Sequence, residues 1–134
     1  GIIVDLVVSL EETFPFRDDN LIDEMIEHLL SEGFDTVIAA KDENGSLWKQ
    51  DRNKGYIRLD SGDIPREYKE NTYVGLKGLC CVTHPEFIRQ DRLMGNNVGL
   101  FNVKSPLSSI EIRSNLDREI AKNLLIEYKL LQSK

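Results

Sequence analysis

Residues 2–40 restrict the fold more than any other stretch of this chain. Ile2 to Leu10 is an almost wholly apolar run rich in β-branched residues. That pattern predicts a strand buried on both faces, as in a parallel sheet covered by helices. Two acids and the bend Thr13-Phe14-Pro15-Phe16-Arg17 follow. With Asp18 or Asp19 as N-cap, a helix is expected next, its apolar stripe formed by Leu21, Ile22, Met25, Ile26, Leu29 and Leu30. Gly33 is placed to end it as a left-handed C-cap. Thr36-Val-Ile-Ala-Ala40 then reads as a second short buried strand. Strand, helix and strand in that order make a βαβ unit, whose crossover is right-handed in nearly all cases.

Composition sets outer bounds. A length of 134 residues predicts a single domain with enough core to fold without disulfides. No apolar run reaches the length of a membrane span, and Gly1 to Asp5 lacks the basic start of a secretory signal, so the expectation is a cytoplasmic protein. Cys80 and Cys81 are neighbours in an apolar run. Strand alternation would send their thiols to opposite faces, so they read as small core residues of a reduced protein, not a disulfide or metal pair. The net charge of −6 argues against a nucleic-acid binder, which would show a basic stripe. It leaves room for an anion held by a few local arginines.

The character changes at Lys41. Residues 41–70 are polar, with turn signals at Asn44-Gly45 and Asn53-Lys54-Gly55. Ser46–Gln50 and Tyr56–Asp60 should pair as a hairpin carrying the only tryptophan, Trp48. A two-stranded polar arm leans on something else, either its own domain or a second copy of the chain. Tyr73 to Thr83 is again apolar, and His84-Pro85 stops it, with Pro85 opening a short helical turn. Val98 to Val103 is a further strand. The last helix, from Asn115 to about Leu131, should bury Leu116, Ile120, Ala121, Leu124, Leu125 and Tyr128.

Ahead of that helix lies Ser108-Ser-Ile-Glu-Ile-Arg-Ser-Asn-Leu-Asp117. Read as an extended segment, it sends Ile110 and Ile112 to one face and Glu111 and Arg113 to the other. Ser114 is a good N-cap, and Asp117 can return the hydrogen bond. An acid at a strand tip before a helix is where an open α/β sheet receives a ligand. The same spacing also suits a solvated strand with a surface Glu–Arg pair. His28 and His84 have no Ser, Cys or Asp neighbour that suggests a triad, and no glycine-rich phosphate loop of either common type occurs. A doubly wound sheet normally opens with such a loop, so the chain reads as if it begins in the middle of that fold.

Several segments, in order, resemble the sugar-acid cytidylyltransferases, which make CMP-sialic acid and CMP-3-deoxy-octulosonate. Asp5 to Leu10 with Thr13-Phe-Pro-Phe-Arg17 is similar to their strand and T-S-P-L-R loop, and Phe34 to Ala40 to their next strand. Leu47-Trp48-Lys49 falls at a substrate-contacting P-L-K, Pro65-Arg66 at P-R, and Ser109 to Asp117 at S-I-D-I-D-T-x-x-D. The resemblance implies an α/β fold with a mostly parallel three-layer sheet, nucleotide-diphospho-sugar transferase-like and Rossmann-like. The family's N-terminal nucleotide loop is absent from it, and residues 41–70 form a dimerisation arm.

It also implies activation of a sugar acid by CTP with release of pyrophosphate and Mg²⁺ on the phosphates. Thr13, Pro15 and Arg17 would then belong to the substrate pocket, Lys49 and Arg66 would contact the anionic substrate, and Glu111 would be the metal acid. Two departures stand out. Arg113 replaces the second acid of the pair, where it would repel a metal yet could contact phosphate. Nothing in these residues cradles a triphosphate. The expectation is the C-terminal half of such an enzyme, inactive alone. The alternative is a non-catalytic α/β interaction or dimerisation module derived from the fold.

Overall fold

A computed structural model describes residues 2–133, without the side chains of Arg66, Leu131 and Gln132. The chain divides into two compact units, residues 1–41 with 75–134, and residues 42–74. Among the described residues no helix is long and apolar enough to cross a membrane.

The first unit is a mixed sheet with helices. Strand β1 (Val7–Ser9), helix α1 (Leu21–Glu32) and strand β2 (Thr36–Glu43) appear in the expected order. The expected mostly parallel sheet is interrupted by β6 (Cys81–Thr83), which runs antiparallel between β1 and β2. Val82 sits opposite Val8 on one side and Val37 on the other. The far side of β2 pairs in parallel with β7 (Val98–Asn102). Thus β1 and β2 share a direction without touching.

Burial explains the register. Residues 36–40 of β2 are all buried, and Val37, Ala39 and Val82 share one core with Leu21, Met25 and Leu29 of α1. Helix α1 packs on β6 and β7. It ends as expected at Gly33, whose φ of 70° lets its N–H reach the Leu29 carbonyl. Its N-cap is Asn20, without a side-chain bond, where Asp18 or Asp19 was expected. Leu30 is exposed, and His28 lies against the rings of Phe34 and Phe101. In the buried pair Thr36 and Thr83 the hydroxyls meet at 2.7 Å, satisfying groups that would be costly unpaired. Burial pushes the Cys80 thiol up to about 11, which suits a small core residue.

Three expectations about apolar runs are corrected. Only Val7–Ser9 of the first run is strand, and Ile2 and Ile3 are exposed. The run from Tyr73 to Thr83 is broken into β5 (Thr72–Gly75) and β6 by a turn, closed by the Leu79 N–H on the Leu76 carbonyl. In α3 (Asn115–Gln132) Ala121 is buried, but Leu116, Ile120 and Leu125 are 69%, 46% and 42% exposed, so its apolar stripe is only partly used. Helix α2 (Pro85–Arg89) starts at its proline as the sequence predicts.

The second unit holds the end of β2, most of β5 and the expected hairpin. Here β3 (Trp48–Gln50) pairs antiparallel with β4 (Tyr56–Arg58). The turn places Lys54, not a glycine, at a φ of 66°. Asp60 organises the unit: it accepts from Arg58, from the Leu47 N–H at 3.0 Å and from the Gly62 N–H at 3.0 Å. Arg58 also reaches Asp63 and lies over the Trp48 ring, 5.6 Å from its centroid.

Two outcomes are expected. A Cβ on Gly99 would stand 2.4 Å from the Phe34 ring, so Gly99→Ala should destabilise by about 1–3 kcal/mol in urea unfolding. The Arg58 bond, with the Gly62 and Leu47 N–H groups, holds the Asp60 carboxyl at about 2, below an ordinary aspartate near 3.9. A depressed folded-state pKa means stability that is fully present above about pH 4 and lost as pH falls through about 2. Trp48 fluorescence should therefore stay native-like at pH 3 and change near pH 2, and Asp60→Asn, which has no carboxyl to protonate, should lose that titration.

Candidate functional site

The loop of residues 11–17 is built inward by its two phenylalanines. Phe14 enters the core, and Phe16 is buried against Tyr128 with ring centroids 5.1 Å apart. Pro15 between them is exposed and Thr13 half-buried. Arg17 ties the loop to the turn before β6: its Nε donates to the Leu79 carbonyl at 2.7 Å and its Nη2 to the Glu11 carbonyl at 2.9 Å. The Tyr128 hydroxyl donates to the Arg17 carbonyl at 3.0 Å. The Glu11 N–H reaches the Gly78 carbonyl, and a Cβ on Gly78 would stand 2.4 Å from the Glu11 carboxylate.

Across from this loop comes the segment ahead of α3. Its first part is a 3-10 turn over Pro106–Ser109, where the sequence suggested an extended chain. Residues 110–113 belong to no helix or strand. The Ile112 N–H donates to the Thr13 carbonyl at 2.8 Å, and the Thr13 hydroxyl donates to Glu111 Oε2 at 3.2 Å. Two expected site residues 98 positions apart are thereby joined. Arg113 meets the same carboxylate edge-on, Nε to Oε1 at 2.5 Å and Nη2 to Oε2 at 2.9 Å. Hydrogen bonding to Arg113 is the main cause of a Glu111 pKa below the usual carboxylate range. Ser114 caps α3 by accepting from the Asp117 N–H, as expected. Asp117 returns a bond one residue further upstream, to the Arg113 N–H at 3.0 Å.

The donor set does not fit a divalent cation. Glu111 is the single acid of the expected metal pair, and both of its oxygens are engaged by protein donors. Among the described residues no three His, Cys, Asp or Glu side chains come together to hold an ion. The place suits a guanidinium, which fills the fork of a carboxylate with two parallel bonds.

The remaining candidates belong to the second unit. Lys49 lies on β3, exposed and opposite Ile57. Arg66 begins a 3-10 turn, and its side chain lies outside the described residues. A glycine inside the apolar run 73–83 is the sequence signal for a close approach, and at Gly78 the approaching group is the Glu11 side chain. Two contributors escaped the sequence: Tyr128 holds the loop, and Ser108 is fully buried with its hydroxyl 3.4 Å from Asp18. Tyr128 read only as core, and nothing in the letters around Ser108 signals a partner so distant in the chain.

Arg17 has spent two donors on backbone carbonyls, so removing it leaves those groups short of partners. Arg17→Ala should cost about 1–3 kcal/mol of stability and raise amide exchange in residues 11–16, read by hydrogen exchange.

No family model matches the sequence, and no curated protein does. Among solved structures, the fold is similar to that of a 4-diphosphocytidyl-2C-methyl-D-erythritol synthase from Anaerococcus prevotii, with a TM-score of 0.61 and 17% identity. The match covers 90% of this chain and 58% of that one, so this chain spans less than two thirds of the synthase's length. The likeness establishes a mixed α/β fold of the synthase's type.

Proposed function

We propose that this chain supplies the C-terminal part of a cytidylyltransferase-like nucleotidyltransferase. In the proposed reaction a hydroxyl of a sugar acid attacks the α-phosphate of CTP, a new P–O bond forms, and pyrophosphate leaves. The observation that carries the reading is the direct bond from Thr13 to Glu111, together with the Ile112–Thr13 backbone bond. These join the two segments that the motif resemblance assigns to the pocket, within a fold similar to that of the 4-diphosphocytidyl-2C-methyl-D-erythritol synthase. Thr13 and Pro15 shape the pocket and Arg17 fixes the loop that carries them, while the motif resemblance assigns Lys49 and Arg66 a contact with the anionic substrate. Mg²⁺ belongs to the proposal only as the ion that CTP carries on its phosphates. The polar arm, residues 41–70, would pair two copies of the chain, with exposed Trp48, Tyr56 and Leu59 available for contact. Polysaccharide biosynthesis in the cytoplasm is the setting this chemistry suits.

A second reading is favoured by one observation, the closed Glu111–Arg113 pair. An acid fully engaged by a neighbouring arginine suits a non-catalytic interaction module that keeps the fold.

Amide spectra of the labelled chain, titrated with CTP and with CMP-N-acetylneuraminate, separate the two. The enzyme reading expects saturable shifts in residues 11–17 and 108–113, with Lys49 and Arg66 responding as well to the sugar-acid ligand, and no pyrophosphate release by the chain alone. Absence of any shift in those segments with either ligand would overturn it. Concentration-dependent shifts on residues 41–70 without ligand would then favour the module.

A further inference from the structure

Glu111 and Arg113 are two residues apart and face each other with both carboxylate oxygens and two guanidinium nitrogens in register. The Glu111 side chain is 22% exposed and that of Arg113 is 73% exposed, so the acid is sheltered beneath the arginine. Thr13 closes the acid from the loop side. Both oxygens of Glu111 are thus met by hydrogen-bond donors of the protein, Oε1 by Arg113 and Oε2 by Arg113 and Thr13.

We propose that Arg113 stands as a built-in cation on Glu111, neutralising that carboxylate and keeping an oxygen-ligated divalent ion from it without a metal. The physical argument is exclusion by charge and by occupancy. A guanidinium carries its charge at every accessible pH, and it repels a second cation brought to the same carboxylate. Mg²⁺ also demands near-octahedral oxygen geometry and gives up water reluctantly, so it competes poorly for an acid already held by three hydrogen bonds. Two further acids face Arg113, so the exclusion rests on its occupancy of the Glu111 carboxylate and on its charge held at contact distance. Glu11 acts on it through space from the loop, and Asp117 accepts its backbone N–H. A phosphate reaching this place would meet the outer edge of a guanidinium fork instead of a metal ion.

The inference rests on the reading above only for the expectation of Mg²⁺, and its test needs no nucleotide. Mn²⁺ alone is added to the full chain, and paramagnetic broadening of the amide signals of Thr13, Glu111 and Asp117 is followed. The wild-type chain should show no saturable broadening there. Arg113→Ala should show it, with apparent affinity higher by about tenfold or more, whereas Arg113→Lys, which keeps a cation, should behave as wild type. Arg113→Gln replaces the alanine variant should that one lose the native signals of the loop. Saturable broadening at Glu111 in the wild type, or none in the variants lacking the charge, would overturn the proposal. A chain that fails to respond to CTP can still give either answer, so the two readings fail separately.

Discussion

The backbone bond from Ile112 to Thr13 is the constraint on which the rest of the candidate site depends. It fixes the height of Glu111 relative to the loop, and only then can the Thr13 hydroxyl reach the carboxylate. The same loop is pinned from below by Phe14 and Phe16, and from the side by Arg17 and Tyr128. A polar cluster on a loop therefore rests on apolar anchors at alternate positions. That is how a surface segment acquires the rigidity that recognition needs.

Much of the fold was legible in local signals. The left-handed C-cap at Gly33, the start of α2 at Pro85, the cap at Ser114 and the hairpin around Asn53 to Gly55 each depend on a few adjacent residues. The strand within Thr36–Ala40 is likewise written into five consecutive apolar or β-branched residues, all of them buried. Apolar composition says that a segment is buried, however, and says nothing of its partner or direction. Cys81–Thr83 looked like any other buried strand, yet it lies antiparallel in the middle of the sheet. Ile2 to Val4 read as core, but the sheet pairs only Val7–Ser9 of that run.

The site was legible in a different way. Motif order brought Thr13 and Glu111 forward as candidates, and the structure joins them through the Thr13 hydroxyl and the Ile112 N–H. The fate of Arg113 was open from spacing alone. A Glu and an Arg two apart in an extended segment share a face, and here they use it for each other. Lys49 and Arg66 sit in the second unit, so their part in any site depends on chemistry that the hairpin by itself does not reveal.

The antiparallel β6 also governs how this chain can come into being. Because β1 and β2 never touch, the helix between them cannot close a self-sufficient unit, however strong its own signals. Both strands wait for Val82 and its neighbours, and everything between β2 and β6, the whole second unit included, must be made first. Chain closure over such separations is slow, and it leaves strand edges and the α1 stripe open in the meantime. A nascent chain halted short of residue 81 would hold β1 without its only partner and β2 without β6, the kind of species that chaperones exist to shield.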